Sequence, residues 1–508
     1  MENLDQLLRE RAAQRGQDIF LVCPGQELSY ADLERQVGSV AAGLAGLGLA
    51  PGERAALLLG NGPHFLRAWW GLMRLGAVMM PVNLRLTAKE AAYVINHCGA
   101  RLAVTGPEAA PILAELRALC PQVRTWLGPQ DLDRFLELPP RVAPSPAGPE
   151  DLASILYTSG TTGFPKGVIH SQANYLRTAA AFMATTRLGP SDRLLTANPL
   201  FHVNAQFYSV LGSLLAGATC ILMEKFSASR MWDWTREYRA NKVVMLLALT
   251  TILYNREPRP DDAANPVELV VAGGAPKGHY HDFERRFGVK LQTLYSLSEA
   301  PLAVMGHPDE PCVEGAVGRP MLTPPEEPNQ FRVADGEGRD LPAGEAGEIL
   351  LRNHGLMKGY FQDTEATAKA FLDGWLRTGD RGMLDPEGRL YFLGRIKDVI
   401  RVKGENVSAL EVEQALVQHP AVEEVAVVGM QTADSAGEEV ILACVVCQVG
   451  QEPDWPALVE FAAGRLAGFK VPRLWQAWEA LPKNAMNRVV KAELVKAGAA
   501  GAIFDRGR

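Results

Sequence analysis

Residues 157–167 read Y-T-S-G-T-T-G-F-P-K-G. Thr158, Ser159, Thr161 and Thr162 bring hydroxyl donors, and Gly160 and Gly163 let backbone N–H groups turn toward an anion. Lys166 adds a point charge at the end of the run. Such a loop suits a phosphate chain. The commoner nucleotide loop needs Gly directly before its Lys, Ser or Thr directly after, and a helix opening there. Here Pro165 precedes Lys166 and Gly167 follows, so a P-loop kinase or GTPase is disfavoured.

Other groups with chemistry in them follow along the chain. His202 lies in N-P-L-F-H-V-N. A lone His beside apolar residues is most often packed core; the alternative is a wall of an acyl pocket. Ala272, Gly273, Gly274, Ala275 and Pro276 close an apolar run, and small residues at a strand's carboxyl end let a flat ligand approach the backbone. In Y-S-L-S-E, Tyr295 suits stacking on a purine, Ser298 a phosphate contact, and Glu299 a Mg²⁺ ion. Taken alone these are more often ordinary strand and loop residues. Asp380 ends W-L-R-T-G-D, and one carboxylate can accept from two vicinal hydroxyls, although a turn aspartate explains it too. Arg395 opens the basic string G-R-I-K-D-V-I-R-V-K-G-E-N-V, which alone reads as a charged hairpin. His279 and His281 do not share a helical face and have no third ligand nearby, so they read as surface.

The elements that position these groups alternate between strand and helix. The apolar run 152–156 predicts a short buried strand feeding the loop. Ser29 and Asp32 are spaced as a capping box for a helix with Leu33, Val37, Val40, Leu44 and Leu47 on one face. Strands are predicted at 55–59, 78–82, 216–223, 243–249 and 267–276, with a helix at 65–75. Repeated strand–helix–strand units imply parallel sheets covered by helices. Residues 330–395 change to short strands with Gly-rich turns, an antiparallel pattern. Ser408 and Glu411 then cap a helix, and a small α+β unit follows, with strands at 422–428, 440–446 and 474–478 and a helix at 455–466.

At 508 residues the chain is too long for one compact core. A hydrophobic fraction of 47% with 21% charged residues fits a soluble globular protein. The net charge of −7 argues against nucleic acid as a partner. Charges at Glu2, Asp5, Arg9, Glu10 and Arg11 interrupt any secretory leader, and Leu4, Leu7, Leu8 and Ala12 instead space as one helix face. No apolar run is long enough for a membrane span, so a cytoplasmic location is expected. The seven cysteines imply no disulfide framework. Cys444 and Cys447 fall in a strand-like run where residues three apart face opposite ways, and read as buried small hydrophobes.

The order of these strings resembles that of the adenylate-forming superfamily of acyl-CoA synthetases, adenylation domains and luciferases. The resemblance covers nearly the whole chain. It implies an α/β fold with a large N-terminal domain, residues 1–396, of two helix-covered mainly parallel sheets plus a distorted antiparallel barrel. A small mobile α+β C-terminal domain, residues 397–508, would act as a lid hinged at Lys397. The implied reaction activates a carboxylic acid with Mg²⁺ and ATP as an acyl-adenylate, then transfers the acyl group to coenzyme A. On that resemblance Thr158, Ser159, Gly160, Thr161, Thr162, Gly163, Lys166, Gly273, Gly274, Ala275, Pro276, Tyr295, Ser298, Asp380 and Arg395 bind the nucleotide. His202, Val203, Ser296 and Leu297 line the acyl pocket, Glu299 holds the metal, and Lys166, Glu299, His202 and Arg488 are catalytic.

Four positions depart from the family pattern. Ser296 stands for Gly, Ser298 for Thr, and Asn487-Arg488 for Gly-Lys. The lysine replaced by Arg488 normally meets the carboxylate and the α-phosphate; Lys483 and Lys491 are the nearby alternatives. The pocket element offers no carboxylate for an α-amine, which favours a free-standing ligase, and the L-F-H-x-x-x-Q element is similar to crotonobetaine/carnitine–CoA ligases. Ser296 narrows the pocket, so short, medium or aromatic acids are expected. An amide synthetase with an amine acceptor, and a nucleotide-binding protein without turnover, are the alternatives. A homodimer is compatible with the resemblance.

Overall fold

The computed structural model describes residues 1–158, 165–273, 280–402, 405–431, 439–484, 489–498 and 504–506. The chain divides into two compact units. One comprises Met1–Phe331 and Leu351–Leu376, the other Arg332–Leu350 and Arg377–Arg508.

The first unit contains two sheets. In one, strands Leu152–Thr158, Val78–Pro81, Arg54–Leu58, Leu102–Thr105 and Thr125–Leu127 lie side by side in that order, all parallel. They are continuous apolar runs because both faces are covered. Strands Lys166–Ser171 and Gly359–Tyr360 extend the sheet antiparallel at its other edge. The predicted helix after Leu28 runs from Tyr30 to Gly46, with the Ser29 hydroxyl accepting from the Asp32 N–H. Leu33, Val37, Val40 and Leu44 are buried on it, whereas Leu47 lies beyond its last turn and is exposed. At the N-terminus, helix Leu4–Arg15 buries Leu4, Leu7 and Leu8.

In the second sheet, Lys290–Tyr295, Leu269–Gly273, Lys242–Leu246, Arg193–Thr196, Thr219–Leu222 and Ile19–Cys23 are parallel neighbours in that order. Two predicted strands are shorter than expected. The run 243–249 is a strand only to Leu246, and Leu247–Tyr254 is a helix. The run 216–223 begins at the end of helix Leu211–Ala216, which Gly217 terminates at φ +73° before strand Thr219–Leu222. Continuous apolar sequence does not distinguish a buried strand from a buried helix. The parallel register brings Thr196, Leu246, Gly273 and Tyr295 to one carboxyl edge, the edge where open α/β sheets bind ligands.

Strands Trp375–Leu384 and Leu390–Arg395 pair as an antiparallel hairpin, with the paired residues, from Asp380 onward, in the second unit. Beyond it, strands Val422–Met430, Val440–Cys447, Leu474–Ala477 and Phe504–Asp505 form a mixed sheet in that order, flanked by helices Ala409–Leu416, Trp455–Ala463 and Lys491–Gly498. Ser408 caps the first of these helices, accepting from the Glu411 N–H. Cys444 is fully buried on its strand and burial pushes its thiol up to about 12, while Cys447 is partly exposed.

Candidate active site

Strands Leu152–Thr158 and Lys166–Ser171 are the two legs of a hairpin, and residues 159–164 between them lie outside the described residues. Thr158 pairs directly with Lys166, and Tyr157 with Gly167. A hydroxyl and an ammonium therefore stand opposite each other at the base of the tip. A Cβ at Gly167 would come within 2.8 Å of the Ile155 side chain and 3.3 Å of Phe361 Cβ, so only glycine lets the legs pack this closely. Phe361 N–H donates to the Gly167 carbonyl (2.7 Å), which docks Gly359–Tyr360 onto the hairpin.

That docking brings two predicted site residues onto one tyrosine. Lys166 Nζ lies 4.9 Å from the centre of the Tyr360 ring. The Tyr360 hydroxyl donates to Glu299 Oε1 at 3.0 Å. Met357 N–H donates to the Glu299 carbonyl at 2.8 Å, so the same segment holds both the backbone and the side chain of Glu299. His170, on the second leg of the hairpin, donates from Nε2 to the Ser298 carbonyl at 2.8 Å. It is completely buried, lies edge-on to Phe207, and burial pushes its pKa down to about 4. Sequence reasoning missed Tyr360 and His170. The signal for Tyr360 was Gly359, whose φ of +138° and proximity to Thr367 (2.8 Å from a Cβ built there) require glycine.

His202 and Val203 follow strand Arg193–Thr196 at the carboxyl edge and are partly exposed. They lead into Asn204–Val210, which is wound as a π-helix, a form frequent at functional sites. The segment is fastened from several sides. Asn61 Nδ2 donates to the Asn198 carbonyl (3.0 Å) and Asn61 Oδ1 accepts from the Leu200 N–H (2.8 Å). Gln206, fully buried, donates to the Leu200 carbonyl (2.6 Å) and accepts from the Tyr175 hydroxyl (2.6 Å). The last residue of L-F-H-x-x-x-Q thus holds the first. Ser296 sits just past strand Lys290–Tyr295, and its side chain hydrogen-bonds the buried Tyr208 phenol, whose pKa burial raises. The same phenol donates to the Pro301 carbonyl. Tyr295 is 7% exposed, and Ser296, Leu297, Ser298 and Glu299 are partly exposed.

In the second unit, Asp380 and Arg395 are directly opposite on the hairpin, with Arg395 Nε 2.8 Å from Asp380 Oδ1. Asp380 is buried. The turn before it is held by Glu348, another residue missed in the sequence. Glu348 Oε2 accepts from Arg377 Nε (2.9 Å) and Nη2 (2.6 Å), and Oε1 accepts from the Gly379 N–H (3.0 Å). Lys397 lies in a short 3₁₀ turn, Ile396–Asp398. Lys483 lies 2.8 Å from Glu424, and Lys491 lies 2.8 Å from Glu413. Both lysines are thus engaged by carboxylates of their own unit.

Ser159, Gly160, Thr161, Thr162, Gly163, Gly274, Ala275, Pro276, His279 and Arg488 lie outside the described residues. His281 is exposed and 3.4 Å from Glu284. Among the described residues, no group of three or more His, Cys, Asp or Glu gathers to hold a metal. No helix among them is long and apolar enough to cross a membrane. One carboxylate still fits Mg²⁺, which takes one or two carboxylates together with substrate phosphates and water. Glu299 Oε1 takes the tyrosine hydroxyl, and the carboxylate has a second oxygen to offer.

Comparison with known proteins gives the family. A family model for AMP-binding enzymes matches residues 8–361, and one for the AMP-binding enzyme C-terminal domain matches residues 411–487. The chain belongs to the AMP-binding enzyme family. It is 32% identical to the crotonobetaine/carnitine–CoA ligase of Salmonella heidelberg (strain SL476), over 97% of this chain and 99% of the relative. Among solved structures it resembles ATP-bound MatB from Rhodopseudomonas palustris, with a TM-score of 0.86 at 28% identity, covering 97% of this chain and 98% of the other. It also resembles o-succinylbenzoate CoA synthetase (MenE) from Bacillus subtilis in complex with its acyl-adenylate intermediate, with a TM-score of 0.84 at 26% identity, covering 97% and 98%.

Proposed function

We propose that this enzyme, an AMP-forming carboxylate–CoA ligase, acts on a short-chain, medium-chain or aromatic acid, using ATP with Mg²⁺. The observation that carries the reading is Tyr360, which touches both the lysine at the base of the hairpin tip and the carboxylate suited to a cation. In the first step a carboxylate oxygen attacks the α-phosphorus of ATP, forming the mixed anhydride and releasing pyrophosphate. In the second, the coenzyme A sulfur attacks the acyl carbon and AMP leaves. Lys166, Thr158 and the hydroxyls of the tip offset the phosphate charge by preorganised electrostatics. Mg²⁺, when bound at Glu299, neutralises and orients phosphate oxygens.

Asp380 accepts the ribose hydroxyls, and its ion pair with Arg395 fixes the carboxylate in place. His202, Val203, Ser296 and Leu297 line the acyl pocket. We assign residues 1–396 to the nucleotide and acyl site, 397–508 to the lid, Lys397 to the hinge, and Arg488 to the cation that the lid supplies.

Supplying ATP and a panel of carboxylic acids, with coenzyme A or amines as acceptor, tests this reading. Thioester formation with short, medium or aromatic acids is expected. Best turnover on palmitate, or acyl transfer to amines only, would overturn it.

A further inference from the structure

We infer that Tyr360 is a positioning residue that sets the spacing between the phosphate-binding lysine and the metal-binding carboxylate, so that Mg²⁺ and ATP bind as one unit. This rests on the function proposed above. Four contacts argue for it. The ring face of Tyr360 lies 4.9 Å from Lys166 Nζ, within the range of a cation–π contact. Its hydroxyl donates to Glu299 Oε1 at 3.0 Å. Its own backbone is fixed on two sides: Tyr360 pairs with Val168 across the sheet, and its N–H donates to Thr367 Oγ1 at 2.8 Å.

The geometry does a specific job. Lys166 is carried by the hairpin, and Glu299 by the loop after strand Lys290–Tyr295, two elements from different sheets. Without a connector, the distance between the ammonium and the carboxylate would vary with the packing of those sheets. A direct lysine–glutamate ion pair would fix it, but would also neutralise the two charges that the nucleotide and the cation need. A tyrosine between them avoids this. The ring accepts the cation, the phenol donates to the anion, and neither charge is cancelled.

The test uses the full-length enzyme. Tyr360→Phe keeps the ring and removes the donor, while Tyr360→Leu removes both. ATP binding is measured by titration calorimetry across a MgCl₂ series, with melting temperature as a control for folding. Tyr360→Phe should raise the half-saturating Mg²⁺ concentration about tenfold, the effect of losing a hydrogen bond to a charged group. Tyr360→Leu should also weaken ATP binding at saturating Mg²⁺. In a Glu299→Gln background, Tyr360→Phe should shift the Mg²⁺ half-point by less than twofold, because the two residues act on one site.

A Mg²⁺ half-point in Tyr360→Phe within twofold of wild type would overturn the inference. So would additive shifts in the double variant, which a purely structural role predicts. Wild-type enzyme with no Mg²⁺-dependent ATP binding would overturn both the inference and the function it rests on.

Discussion

His170 is neutral in the folded protein, because burial pushes its pKa down to about 4 from an ordinary 6.5. Its Nε2–H holds the Ser298 carbonyl, one residue before Glu299. The depressed pKa has a sign that can be checked. The unfolded chain binds a proton between the two pKa values and the folded one does not, so this residue's contribution to stability is full above 6.5 and is lost as pH falls toward 4. The loss between pH 7 and pH 5 should be about 2 kcal/mol. His170→Gln, which keeps a neutral donor, should remove most of that slope in urea unfolding at the two pH values; an unchanged slope would contradict the account. Ser296 makes a second residue-level case. Its hydroxyl is tied to Tyr208 beside the proposed acyl pocket. Ser296→Gly should raise kcat/KM for octanoate relative to butyrate by about tenfold, in line with the discrimination a small hydrophobic pocket achieves. A ratio that does not move would place Ser296 away from the acyl chain.

Among the elements, the hairpin of Leu152–Thr158 and Lys166–Ser171 organises the site, and it packs closely at Gly167. A methyl group there must displace Ile155 or the docked strand that carries Tyr360. Gly167→Ala should therefore lower the melting temperature by a few degrees, at a cost of about 1–3 kcal/mol for overpacking, and should raise KM for ATP more than KM for the acid. Equal effects on both constants would argue against a hairpin role confined to the nucleotide. The hairpin was legible in the sequence because its chemistry is local: hydroxyls, glycines and a lysine within eleven residues, after an apolar run. The carboxyl edge was legible too, since apolar strands ending in small residues or in Y-S-L-S-E announce themselves. What escaped was the connecting chemistry. Tyr360 lies in a two-residue strand that has no periodicity to read, and it meets Glu299 across 61 positions of sequence. His170 alternates within an ordinary strand, and only burial distinguishes it. The early end of the strand at Leu246 was hidden for a related reason: uniformly apolar sequence carries no period.

Across the whole molecule, the family match covers both the nucleotide-binding portion and the C-terminal domain, so the chain carries the parts for activation and transfer. The departure that matters at this scale is Arg488, which stands where the resemblance expects lysine. Lys483 and Lys491 are each engaged by a carboxylate within the second unit, which argues against either taking over its role. A guanidinium keeps the charge but is planar and bulkier than an ammonium. Arg488→Lys should speed acid-dependent ATP–pyrophosphate exchange by about tenfold or more. A Lys variant no faster than wild type would mean that the site is built around the guanidinium. The central claim, that Lys166 and Glu299 serve one Mg²⁺–ATP site for acid activation, is tested most directly by pyrophosphate exchange in the wild-type enzyme, with acid and Mg²⁺ each omitted in turn. The account predicts exchange that needs both and falls by about a hundredfold or more in Lys166→Ala and in Glu299→Gln. Exchange that persists without acid, or that survives either substitution at the wild-type rate, would contradict it.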